Sequence, residues 1–102
     1  MGSITLTNCY VQNNTVALGK ISAKGCVLNY TEGQMGVIVE NSIVNKTLQS
    51  PSGSVFADNC TLNEVVGKND VTIQNSTIIG KDPRSNSNNI EMLNVQIYTE
   101  VL

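Results

Sequence analysis

Glu40 and Asp58 are the two residues of this chain best placed to do chemistry together. Each ends a short stretch in which apolar and variable residues alternate, V-I-V-E from Val37 and V-F-A-D from Val55, and each is followed directly by an Asn. If these stretches lie side by side as neighbouring strands, the two carboxylates stand about 5 Å apart. That spacing suits a retaining glycoside cleavage, one group as nucleophile and the other as acid, or a pair of oxygen ligands for a cation. A plainer reading uses the same residues. Lys24 holds the equivalent slot of the preceding stretch, so Lys24, Glu40 and Asp58 also read as a solvated charge ladder. The chain has no His, and Arg84, its sole Arg, falls in the polar run Lys81–Asn89, so no base or anion-binding partner accompanies the pair in the pattern.

Other reactive groups are few. The three cysteines, Cys9, Cys26 and Cys60, all directly follow an Asn or Gly, and without His they make no Cys/His zinc set. Cys9 and Cys26 fall on adjacent repeats, near disulfide range, but parallel side chains in register point alongside one another rather than toward one another. Small buried thiols in a tight corner fit them better. Asn-X-Thr triplets begin at Asn13, Asn29, Asn45, Asn59 and Asn75. They permit glycosylation, although Asn59 and Asn75 also have a structural reason to exist, given below. A net charge of −2 leaves nothing to neutralise a run of phosphates, which argues against nucleic acid. No apolar run approaches the roughly 18 residues that span a bilayer as a helix. No metal and no cofactor is expected.

What positions all of these residues is a repeat. Aligned on the Asn or Gly, six segments match: I-T-L-T-N-C-Y-V from Ile4, I-S-A-K-G-C-V-L from Ile21, V-I-V-E-N-S-I-V from Val37, V-F-A-D-N-C-T-L from Val55, V-T-I-Q-N-S-T-I from Val71 and I-E-M-L-N-V-Q-I from Ile90. The anchors Asn8, Gly25, Asn41, Asn59, Asn75 and Asn94 are 17, 16, 18, 16 and 19 residues apart. Three columns are apolar throughout: Ile4, Ile21, Val37, Val55, Val71, Ile90; then Leu6, Ala23, Val39, Ala57, Ile73, Met92; then Val11, Leu28, Val44, Leu62, Ile78, Ile97. At ordinary apolar usage such agreement arises by chance on the order of once in ten million trials.

The period of two predicts strands with one face buried. The phase breaks at the anchor, with apolar sites four and two residues before it and one and three after it, which predicts a bend. Asn and Gly enter the left-handed region most cheaply and fit that bend. Stacked about 4.8 Å apart, the Asn side chains would bond to one another as a ladder. Parallel strands in register cannot be joined by a hairpin, so the chain must coil. Thr15–Gly19 and Glu64–Gly67 read as short return strands, and Gln49–Gly53 and Lys81–Asn89 as loops of variable length. The expectation is an all-β parallel solenoid of about six coils, a single domain over residues 1–102. Met1–Ser3 reads as an initiator with a leftover cloning sequence, and the chain as a segment of a longer one.

The pattern, with its Asn bend and coils of irregular length, resembles the right-handed parallel β-helix of pectate lyases, polygalacturonases and phage tailspikes. The resemblance covers nearly the whole chain and implies an architecture; its motif carries no activity. Enzymes of that architecture often place acidic residues on outward strand faces, which is what Glu40 and Asp58 would match.

Apolar residues also fill outward slots: Ile38 and Phe56 in one column, and Tyr10, Val27 and Ile43 in another. Either a returning loop covers them or they form an interface. Trimeric tailspikes, three solenoids side by side, imply the second. The leading expectation is therefore a non-catalytic β-helix segment of a tailspike or adhesin-like protein on a virion tail or outside the cell, a homotrimer offering a scaffold and a polysaccharide-contacting surface. A fragment of a polysaccharide lyase or glycoside hydrolase, and a purely structural or engineered solenoid, are the alternatives. Tyr10, Tyr30 and Tyr98, the only tyrosines, fall on different coils, which gives sugar stacking thin support.

Overall fold

A computed structural model describes residues 2–98, and among these there are strands and turns but no helix. The chain winds through six coils. The first holds β1 (Ile4–Thr7) and β2 (Asn14–Ala17); the second β3 (Lys20–Lys24), β4 (Val27–Leu28) and β5 (Tyr30–Gly33). The third holds β6 (Gly36–Glu40), β7 (Ile43–Val44) and β8 (Thr47–Ser50), and the fourth β9 (Val55–Asp58), β10 (Thr61–Leu62) and β11 (Glu64–Gly67). In the fifth, β12 (Asp70–Ile79) runs unbroken through the bend and is followed by β13 (Arg84–Ser85); β14 (Asn89–Tyr98) is the sixth.

Every strand pairs in parallel with its counterpart one coil away. The first sheet runs β1-β3-β6-β9-β12, with β14 on β12, and continues past the bend through β10, β7 and β4. The second sheet, β2-β5-β8-β11-β13, closes the coil. Register follows the sequence repeat: Ile4 pairs with Ile21, Ile21 with Val37, Val37 with Val55, Val55 with Val71 and Val71 with Ile90. Apolar side chains of the inner columns meet along the axis, and Ile21, Val37, Val39, Leu28, Leu62, Ile73 and Ile78 are buried. The end coils lack a neighbour on one side. Ile4, Leu6 and Val11 are half-buried, and Ile90, Met92 and Ile97 are exposed, although all belong to inward columns.

At the bends Asn8, Asn41, Asn59, Asn75 and Asn94 have φ between 50° and 56°, and Gly25 has φ 66°. Asn59 Nδ2 donates to Asn41 Oδ1 at 2.7 Å and Asn94 Nδ2 to Asn75 Oδ1 at 3.1 Å. The ladder is interrupted where Asn75 Nδ2 turns instead to Asp58 Oδ1, at 3.1 Å, and where Gly25 offers no side chain.

The residue after each bend solves a local problem. Its N–H points along the stack, and on several coils the acceptor is a side chain of the next coil: Cys26 for Cys9 N–H, Ser42 for Cys26 N–H, Ser76 for Cys60 N–H. Each of those groups donates in turn to the carbonyl two residues before it, Ser42 to Glu40 at 2.7 Å and Ser76 to Gln74 at 2.7 Å. The column therefore selects a small side chain able both to accept and to donate, which Ser and Cys share. All three thiols are free, and burial pushes the Cys60 thiol up, so it is held as the neutral packing group.

The return segments correct the sequence expectation. Gln49 and Ser50, placed in a loop, belong to β8, and Arg84 and Ser85, placed in another, form β13. β5 was not anticipated at all. The cause lies in the inward residues of this sheet: Thr15 and Ala17, Thr31 and Gly33, Leu48 and Ser50, Val65 and Gly67, then Ser85. The second of each pair must be small. A Cβ on Gly33 would lie 2.4 Å from the Gly36 carbonyl oxygen, and one on Gly67 2.7 Å from Val71 Cγ2. The buried serines find backbone partners, Ser50 in the Gly33 carbonyl at 2.7 Å and Ser85 in the Asn69 carbonyl, whereas the buried Thr31 hydroxyl has no partner among the described residues.

Candidate functional site

Outward residues of the first sheet carry the acidic pair. Glu40 and Asp58 are half-buried and directly paired on β6 and β9. Lys24 stands opposite Glu40 on β3, yet the ion pairs among the described residues are Lys81–Glu64 and Arg84–Glu64 alone. Asp58 is occupied by the Asn75 amide. Among the described residues no Arg or Tyr bonds to either carboxylate, and no group of three or more His, Cys, Asp or Glu side chains is arranged to hold a metal.

The apolar outward residues separate into two places. Ile38 and the half-buried Phe56 pair across β6 and β9 and form one side of an open cleft of about 410 Å³, whose other walls include Met35, Gly53 and Lys20. On the far flank of the bend, Tyr10 bridges to Val27 and Val27 pairs with Ile43. Among the described residues no loop covers either row: Tyr10 is 69%, Ile38 45% and Ile43 43% exposed, and Val27 and Phe56 are half-buried.

The densest side-chain chemistry lies on the outer face of the second sheet, on residues the sequence did not single out as a site. Glu32 on β5 pairs with Gln49 on β8. Its carboxylate accepts from the Tyr30 hydroxyl, from Gln49 Nε2 at 2.8 Å and from Gln34 Nε2 at 3.0 Å. Gln49 Nε2 also reaches the Tyr30 oxygen at 2.6 Å. The Tyr30 hydrogen bond, reinforced by Gln49, holds the Glu32 carboxyl below the ordinary glutamate range, and that same bond raises the Tyr30 phenol. Glu32 is thus a charged acceptor fixed from three sides.

One coil further, Thr47 Oγ1 donates to Glu64 Oε1 at 3.0 Å, and Arg84 Nη2 to Glu64 Oε2 at 2.6 Å. Arg84, expected in a polar loop away from Glu40 and Asp58, is therefore tied to Glu64 through strand β13. The result is a row of amides, hydroxyls, carboxylates, a phenol ring and a guanidinium across four coils. Its sequence signal is faint: the outward slots Tyr30, Glu32 and Gln34, Thr47 and Gln49, Glu64, and Arg84 alternate with inward residues that, Leu48 and Val65 apart, are small or polar, so no sustained apolar period marks the strands.

Comparison with family models, curated proteins and solved structures gives no match to this chain. The coordinates define its class directly, as an all-β parallel solenoid of about six coils.

Proposed function

We propose that the chain is a non-catalytic β-solenoid segment of a tailspike or adhesin-like protein, a rigid shaft whose second sheet presents a polysaccharide-contacting face. The observation that carries this reading is the fixed Tyr30–Glu32–Gln34–Gln49 cluster. Polysaccharides offer regularly spaced hydroxyls and flat ring faces, and they bind where donors, acceptors and aromatic rings are held still before contact, because little side-chain entropy is then lost. A solenoid supplies that stillness along an axis that parallels an extended glycan. The exposed Tyr10–Val27–Ile43 row supports lateral association with two further copies, and a virion tail or the extracellular space is where such shafts work. The acidic pair favours this reading over a lyase or hydrolase, since Asp58 is engaged by Asn75 and neither carboxylate has a cationic partner.

Tyr30→Ala combined with Gln49→Ala is expected to weaken binding to any polysaccharide retained by the unmodified protein on a glycan array by about tenfold, the effect of losing one well-placed anchor. Glu40→Gln is expected to leave it unchanged. An array without a single retained glycan, or binding lost through Glu40→Gln and kept in the double variant, contradicts the proposal.

A further inference from the structure

A longer connection in mid-stack builds the cleft beside Phe56. Two residues separate β5 from β6 and β11 from β12, whereas four, 51–54, separate β8 from β9. These four stand beside the first sheet as a wall, pinned by backbone hydrogen bonds. Ser52 N–H donates to the Gln34 carbonyl at 2.9 Å and Val37 N–H to the Ser54 carbonyl at 3.0 Å. Lys68 and Asn69 N–H both donate to the Gly53 carbonyl, at 3.2 and 3.0 Å. Gly53 lies so close to the preceding turn that a Cβ on it would come 2.4 Å from the Met35 carbonyl oxygen. The floor opens because Gly36 has no side chain. The Lys20 stem lies across it, with Cγ 3.6 Å from where a Gly36 Cβ would be. The cleft is thus formed before anything enters it, and its volume of about 410 Å³ is in the range of small-molecule sites.

Its lining divides by chemistry. Met35 is 56% and Ile38 45% exposed, and Phe56, the only Phe of the chain, is half-buried beside them. Among the described residues Lys20 is the only charged group lining the cleft, and it makes no ion pair. Ser54 Oγ accepts from Asp70 N–H at 3.2 Å, which leaves its own proton to donate. Asp70, next to Ser54 along the stack, is itself bonded to the Asn89 amide. An apolar shelf with a cation and a hydroxyl beside it, and no carboxylate in its lining, complements a flat apolar body that carries a negative charge.

We propose that this cleft binds a small aromatic anion, a carboxylate or sulfonate whose ring lies against Phe56, Ile38 and Met35 and whose charged head meets Lys20. The site shares no lining residue with the Tyr30–Glu32–Gln34–Gln49 cluster, so it stands apart from the polysaccharide reading.

Fluorescence titration of the intact chain tests this with two probes, anilinonaphthalene sulfonate and phenylnaphthylamine, which keeps the rings and lacks the charge. The sulfonate is expected to saturate a single site. Substitutions taken from the same column of a neighbouring coil keep the strands within what they already accommodate: Phe56 faces Thr72 and Ile43 faces Thr61. Phe56→Thr is expected to weaken both probes about tenfold. Lys20→Gln, at an exposed side chain, is expected to weaken the sulfonate about two- to fivefold, less so in high salt, and to leave phenylnaphthylamine unchanged. Ile43→Thr, on the other apolar row, is expected to change neither. Sulfonate binding that does not saturate, or that survives Phe56→Thr, overturns the proposal, as does a loss through Ile43→Thr. An equal response of the two probes to Lys20→Gln means a neutral occupant and overturns it as well.

Discussion

Val39→Asp is expected to leave the chain unfolded at 25 °C. Val39 has no exposed surface, and its neighbours along the stack are Ala23 below and Ala57 above, both buried. The core around it is built of Val, Ile, Leu, Ala and Cys, with no cation among its residues. A carboxylate there loses its hydration and gains no partner, at an effective cost of several kcal/mol. Taking up a proton escapes part of that penalty but still leaves a buried hydroxyl and carbonyl unpaired. Domains of this size are stable by about 5–15 kcal/mol, so the substitution removes most or all of the margin. Val39→Ala, which removes two methyls between two alanines, is expected to cost about 1–3 kcal/mol and leave a folded protein. Circular dichroism with urea unfolding distinguishes the two. A Val39→Asp protein that keeps the strand spectrum and unfolds within a few tenths molar urea of the parent would mean that this column does not face the interior.

Asn75→Ala is expected to lower stability by about 2–3 kcal/mol, the second-largest effect. Asn75 has φ 51°, and holding a residue with a Cβ in the left-handed region costs roughly 1–2 kcal/mol, a penalty that Asn offsets through local polar contacts. The side chain also makes two bonds along the stack, donating to Asp58 and accepting from Asn94. Exposed hydrogen bonds of this kind contribute about 0.5–1.5 kcal/mol each at most. Asn75→Gly separates the two causes. It removes the same two bonds but enters the bend freely, so it is expected to recover the backbone share, and to melt several degrees above Asn75→Ala. If Asn75→Gly is no better than Asn75→Ala, the bend is not what selects Asn, and the ladder bonds carry the effect instead.

How much of this was legible in the sequence depended on which face a residue turns to the interior and how apolar it must be. The first sheet and its bends were plain, because Val37, Val39 and Val44 and their equivalents are apolar on every coil. Asn and Gly at one fixed place then betrayed the turn. The second sheet was not plain. Its inward positions include Gly33 and Ser50, small because their column passes within contact distance of the following strand, and Thr31, a polar residue in a column that elsewhere holds Leu48 and Val65. A period of two written in Thr, Gly and Ser does not register as hydrophobic alternation, so β5, β8 and β13 were missed or read as loops.

The same blindness hid the polar surface. Tyr30, Glu32 and Gln49 become neighbours only once β5 and β8 are in register, and Arg84 reaches Glu64 only once β13 exists. The outward residues that the sequence did single out, Glu40 with Asp58 and Ile38 with Phe56, lie on the strands whose register was already known. The cysteines show a third case. Their column was readable as inward and small, but the demand for a group that accepts from one N–H and donates to a carbonyl two residues back follows from the geometry of the bend. Ser at 42 and 76 is the trace of that demand in the sequence.

Successive coils stack in parallel, with Val55 between Val37 and Val71. Nuclear Overhauser contacts across that stack test it most directly. Cross-peaks are expected from Val55 to both Val37 and Val71, and from Ala57 to both Val39 and Ile73, with the regular amide-to-alpha pattern of parallel strands. Cross-peaks linking Val55 to only one of the two coils, an antiparallel pattern between them, or helical connectivities through Val37–Glu40 would contradict it.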